Sequence, residues 1–160
     1  MAGAGGKEIG RREMKRSILF CLTVIVMLGP VRSGAEPRFF SRDGAAIGGY
    51  DTVAYFLSGQ ALPGRDDIAV MWKGAVWRFA SRKNRETFEA NPRAYAPRYG
   101  GYCAYGMAQG HVRPTDPTAW RIVEGRLYLT HSHRVKALWE ADIEGHLARA
   151  EANWPRIRAR

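Results

Sequence analysis

The amino-acid sequence predicts a small single α+β domain in which antiparallel β-hairpins pack with short helices. Two pairs of β-branched and aromatic runs, Ile68–Trp72 with Ala75–Ala80 and Trp120–Val123 with Arg126–Leu129, are each joined by a short turn containing glycine. Each pair is followed by a segment that opens on a serine, a natural helix cap, and then carries apolar residues compatible with a helix. No internal repeat and no linker long enough to separate domains interrupts this alternation.

The N-terminal residues read as a leader rather than as part of that fold. Lys15 and Arg16 precede an apolar run from Ile18 to Leu28, Gly29-Pro30 ends it, and Ser33-Gly34-Ala35 offers the small residues that a signal peptidase requires. The run is too short to span a bilayer. We therefore expect a signal peptide over 1–35, a mature domain over 36–160 without a transmembrane helix, and a periplasmic or secreted location. Phe20 before Cys21 does not suit lipid attachment, Arg11-Arg12 is similar to a twin-arginine signal, and Met14 would make a better start for an ordinary secretory peptide.

Along the mature chain, Glu36–Arg42 forms a polar lead whose Phe39 and Phe40 are expected to pack loosely on the domain. Ala46–Phe56 follows, with a glycine pair that permits close backbone approach and with Val53, Tyr55 and Phe56 as apolar mass. Ser58-Gly59 and Leu62-Pro63-Gly64 mark turns. In the first hairpin Trp77 and Phe79 share one face, and Val76, Arg78 and Ala80 the other. Ser81 caps a helix whose chief apolar residue is Phe88 and which Asn91-Pro92 stops. Gly100-Gly101 and Gly106 make Tyr99–Gly110 tight, irregular or briefly helical, and Asp116-Pro117 starts a turn. After the second hairpin Ser132 caps a helix carrying Val135, Leu138 and Trp139, which Gly145 ends. Leu147, Ala150 and Trp154 define a last amphipathic helix closed by Pro155.

Charge narrows the classes of partner. Lys and Arg number 25 against 15 Asp and Glu, a formal +10 that falls to +6 once residues 1–35 are removed. Arg156, Arg158 and Arg160 form a basic tail without interleaved aromatics, so nucleic acid is not expected. A solvated basic surface that touches anionic lipid or cell-wall polymer fits better.

Chemistry concentrates in Tyr99-Gly-Gly-Tyr-Cys-Ala-Tyr-Gly-Met-Ala-Gln-Gly-His111. With Cys21 inside the leader, Cys103 has no internal partner for a disulfide, and it is either a small buried hydrophobe, a reactive thiol or a soft-metal ligand. Cys103, Met107, His111 and His131 make a donor set suited to a copper or zinc ion, although no Cys-x-x-Cys spacing is present. His133 lies two residues from His131 and would share its face in an extended stretch, while His146 reads as surface. Cys103, His111 and Asp51 or Asp116 could be assembled as a thiol–imidazole–carboxylate set, since such sets are defined by geometry. No Gly-x-Ser-x-Gly, His-Glu-x-x-His or phosphate loop occurs, so a binding role is expected before an enzymatic one. Tyr99, Tyr102 and Tyr105 are either core or a surface patch for an envelope protein or small ligand.

The run Trp72-Lys-Gly-Ala-Val-Trp-Arg-Phe-Ala-Ser81, followed by Phe88, Asn91-Pro92 and Tyr95, resembles the YHS domain. Gly48-Gly-Tyr-Asp-Thr-Val-Ala-Tyr-Phe56, Tyr99–Tyr105 and Asn153-Trp-Pro155 are similar to the exported bacterial branch of that family, so the resemblance covers nearly the whole mature chain. It implies a hairpin followed by a helix. In related modules it also implies metal sensing or transport through cysteines in those two elements. Here the corresponding positions are Ala80 and Asn84, neither a thiolate, so any metal site is expected around Cys103 instead. A structural or interaction module of the cell envelope without metal, and a thiol-dependent enzyme, are the other readings.

Overall fold

The computed structural model describes residues 38–159, so the expected leader and its cleavage site lie outside the described residues. In order, the elements are β1 (Ser41–Arg42), β2 (Ala45–Ala46), α1 (Ala54–Leu57), β3 (Arg65–Trp72), β4 (Ala75–Phe79), α2 (Arg82–Ala90) and α3 (Pro92–Tyr95). They continue with α4 (Ala104–Ala108), β5 (Asp116–Val123), β6 (Arg126–Thr130), α5 (His133–Glu140) and α6 (Ile143–Arg158). Three antiparallel two-stranded sheets, β1–β2, β3–β4 and β5–β6, share one small α+β domain with these helices.

Both long hairpins turn where the sequence places them, because Lys73-Gly74 and Glu124-Gly125 each hold two consecutive left-handed residues. That is the turn geometry which matches the twist of paired strands. In β4 the alternation is strict: Ala75, Trp77 and Phe79 are buried, and Val76 and Arg78 are not. β5 starts earlier than its apolar run because Asp116 pairs with Thr130 across an irregularity before Trp120. Asp116 Oδ1 accepts from the Thr118 amide (2.9 Å) and hydroxyl (2.7 Å), so the expected turn is a kink inside the strand. Ser81 and Ser132 cap α2 and α5 by accepting the Asn84 amide (3.1 Å) and the Val135 amide (3.3 Å).

Four expectations need correction. Phe39 and Phe40 do not pack loosely: they are 8% and 9% exposed and belong to different cores. Gly145 does not end a helix; α5 stops at Glu140, and Gly145 lies in the first turn of α6, donating to the capping Asp142 Oδ1 (2.9 Å). Pro155 does not close α6, which runs on to Arg158 and so includes Arg156 and Arg158 of the basic tail. Leu138 faces outward at 50% exposure while Trp139 takes the buried position.

The interior has three parts. Phe39, Trp77, Phe79 and Phe88 fill the first, where Trp77 and Phe88 stack at 5.2 Å and Phe39 meets Trp77 edge-on at 5.0 Å. Phe40, Tyr99, Tyr102, Met107, Tyr128 and Trp139 fill the second, under α4, α5 and α6. Ile47, Tyr55, Leu127 and Leu129 lie in the third. Two left-handed triplets, Ile47-Gly48-Gly49 and Tyr99-Gly100-Gly101, bring backbone segments very close. A Cβ on Gly100 would stand 2.2 Å from the Arg38 carbonyl oxygen, and one on Gly101 would stand 2.6 Å from Ile47 Cγ2. Among the described residues no helix is long and apolar enough to cross a membrane.

Candidate functional site

Cys103 is the N-cap of α4 and is held by its own backbone from three sides. Its amide donates to the Arg113 carbonyl (3.0 Å), its carbonyl accepts the Met107 amide (2.8 Å), and it forms an isolated parallel bridge with Leu129. Its sulfur accepts the Gly106 amide at 3.4 Å. The loop after α4 folds back over the helix: the His111 amide donates to the Gly106 carbonyl (2.9 Å), and the Thr115 hydroxyl to the Gly101 carbonyl (2.9 Å). Gly106 permits this, since a Cβ there would stand 3.0 Å from Arg113 Cγ and 3.1 Å from the His111 carbonyl oxygen.

The fold-back leaves a cavity of about 430 Å³ lined by Cys103, Tyr105, Gly106, Gln109, His111, Arg113, Pro114, His131 and Val135. Three of the four expected metal ligands thus line one cavity. Cys103 lies at its base at 1% exposure, and His111 and His131 are exposed. His131 Nδ1 lies 3.1 Å from the Pro114 carbonyl oxygen. That oxygen can only accept, so Nδ1 carries the proton and Nε2 is the basic nitrogen of the neutral ring. Met107 does not join them: it is 0% exposed and belongs to the second core. Among the described residues no group of three or more His, Cys, Asp and Glu side chains stands close enough to hold a metal ion.

The tyrosines divide in the same way. Tyr99 and Tyr102 are 2% and 5% exposed, which removes the surface patch and makes them core. Burial, followed by the Glu151 carboxylate, holds the Tyr99 phenol well above its ordinary range. Tyr105 alone of the three lines the cavity, and its ring lies 5.0 Å from that of His146. His146 is not surface: it is 8% exposed, with Nδ1 against the Trp139 carbonyl (3.1 Å). His133 opens α5 and places Nε2 3.1 Å from the Thr118 hydroxyl, so it does not share the wall with His131.

The carboxylates considered for a thiol–imidazole–carboxylate set lie elsewhere. Asp116 is occupied by Thr118, and Asp51 is fully buried at the other hairpin. Asp51 Oδ1 accepts the Val53 and Ala54 amides (2.9 and 3.2 Å), capping α1. Oδ2 accepts the Ala80 amide (2.8 Å) and the Asn84 side-chain amide (2.6 Å). Ala80 and Asn84 are the two positions where the resemblance places cysteines. In this chain they converge on one carboxylate, so a hydrogen-bond lock stands where sulfur ligands are implied. Sequence reasoning missed Gln109, Arg113 and Val135 as cavity walls; only the Gly106 and Gly110 pair hinted at a fold-back.

No protein-family model, curated protein or solved structure matches this chain.

Proposed function

We propose that this chain is an exported binding domain of the YHS type whose site is the cavity over Cys103, and that its ligand is a soft metal ion, Cu(I) before Zn(II). The observation that carries the reading is the convergence on one cavity wall of a thiol and two imidazoles that are up to 28 residues apart in the sequence. Sulfur and imidazole nitrogen are the donors that Cu(I) and Zn(II) prefer. A structural zinc site needs four ligands, and this wall offers three once Met107 is assigned to the core. Cu(I) is satisfied by two or three soft donors, which favours it here. The imidazoles are exposed, and sharing an ion would require their side chains to rotate toward Cys103, which its backbone bonds hold in place.

The test is a Cu(I) titration of the purified mature domain against a competing chelator. Wild type is expected to take up one equivalent. Cys103→Ala is expected to lose about a hundredfold in affinity, and the double variant His111→Ala/His131→Ala at least about tenfold. Equal weak uptake by wild type and Cys103→Ala overturns the reading.

A further inference from the structure

A second concave site lies away from Cys103, on the face where the N-terminal arm, the first hairpin turn and the end of α6 meet. Arg38, Lys73 and Arg158 line a cleft of about 230 Å³ whose remaining walls are Phe39, Gly100 and Trp154. Among the described residues no carboxylate lines it. None of the three cations has an ion-pair partner among the described residues, and Lys73 lies over the Trp72 ring at 4.6 Å. A separate cleft of about 340 Å³ holds Arg93 and Arg126 but also the Glu124 carboxylate, and its Arg98 is paired with Glu151.

Lys73 is held below the ordinary lysine range by desolvation first and then by Arg93, Arg38 and Arg158. Like charges gathered without counter-charges destabilise the folded chain, and a bound anion would remove that repulsion. Two guanidinium groups present planar forks that match phosphate oxygens, and Lys73 adds a compact point charge to the same cleft. The space suits a compact group rather than an extended organic molecule.

We propose that the Arg38–Lys73–Arg158 cleft is a binding site for a polyvalent phosphate-type anion. The reading is independent of the proposal for Cys103, since the two sites share no lining residue. Its basis is the convergence of three cations on one concavity, which the other cations without ion pairs, such as Arg82 and Lys83 on α2, do not share.

Inorganic tripolyphosphate and orthophosphate, titrated calorimetrically at low salt into the mature domain, test it. Tripolyphosphate is expected to bind at least about tenfold more tightly than orthophosphate, because it engages several cations at once. The variant Lys73→Asn/Arg158→Ala, in which asparagine tolerates the left-handed turn, is expected to lose about tenfold. Arg82→Ala/Lys83→Ala removes the same charge from α2 and is expected to change affinity less than about twofold. Sedimentation with phosphatidylglycerol vesicles separates the sources. Co-sedimentation that tripolyphosphate reverses assigns the site to a lipid headgroup, and tripolyphosphate binding without co-sedimentation assigns it to a free anion. Absence of tripolyphosphate binding, or equal affinity in the cleft variant and the α2 control, overturns the proposal.

Discussion

At the scale of single residues, two positions decide more than their size suggests. Asp51 satisfies four donors on three segments, so its removal strands the buried Val53 and Ala54 amides as well as the half-buried Ala80 amide and Asn84 side chain. Asp51→Ala is expected to cost about 3 kcal/mol, and Asp51→Asn, which retains some of the bonds, about half of that; urea unfolding followed by tryptophan fluorescence measures both. Gly100 is needed on two grounds, a left-handed φ of 63° and the Arg38 carbonyl oxygen standing where a Cβ would go. Gly100→Ala is expected to destabilise by more than about 2 kcal/mol, against less than about 1 kcal/mol at Gly125, which is left-handed but open. The Gly100-Gly101 pair was legible as a tight segment. Which backbone it admitted was not, because Arg38 is 62 residues away in the sequence.

Elements were legible where local signals suffice and misread where a tertiary contact overrides them. The hairpin turns and the two serine caps follow from residue types within four positions of one another. The α5–α6 junction does not, since glycine usually ends helices, yet Gly145 lies beneath the Asp142 cap, where a Cβ would meet the carboxylate at 2.3 Å. Asp142 is held below the ordinary aspartate range, first by the Gly145 amide and then by Arg149. A lowered folded-state pKa contributes stability above the unfolded value, and that stability is lost as pH falls through the folded one. Wild type is therefore expected to lose α6 stability on acidification below the ordinary aspartate range. Asp142→Asn is expected to flatten that part of the profile, as read by thermal unfolding at successive pH values. Ser132→Ala, which removes the α5 cap, is expected to cost about 1 kcal/mol at all pH values, and an unchanged melting temperature would contradict the cap's role.

At the scale of the whole molecule, the N-terminal arm joins two halves that each resemble a hairpin with helices. Phe39 enters the core of the first hairpin and Phe40 that of the second, while the Phe40 amide donates to the Gly100 carbonyl (2.8 Å). Tyr55 adds a second tie, its hydroxyl donating to the Pro117 carbonyl (2.9 Å) and its ring meeting Trp120 at 5.0 Å. Phe40→Ala is expected to cost about 3–4 kcal/mol and to lower one cooperative transition rather than split it, a point that circular dichroism and fluorescence melts on the same sample decide. By itself the sequence determined the α+β class, the hairpins, the capped helices and the choice of Cys103, His111 and His131 as chemically capable residues. Those depend on period, turn chemistry and donor type, which act over a few neighbours. Only the tertiary structure decided that Met107, Tyr99 and Tyr102 are core, that Asp51 locks the implied sulfur positions, and that Arg38, Lys73 and Arg158 meet. Burial and convergence are properties of segments far apart in the chain, and a helix of five residues such as α4 is too short for a local pattern to encode its inward face.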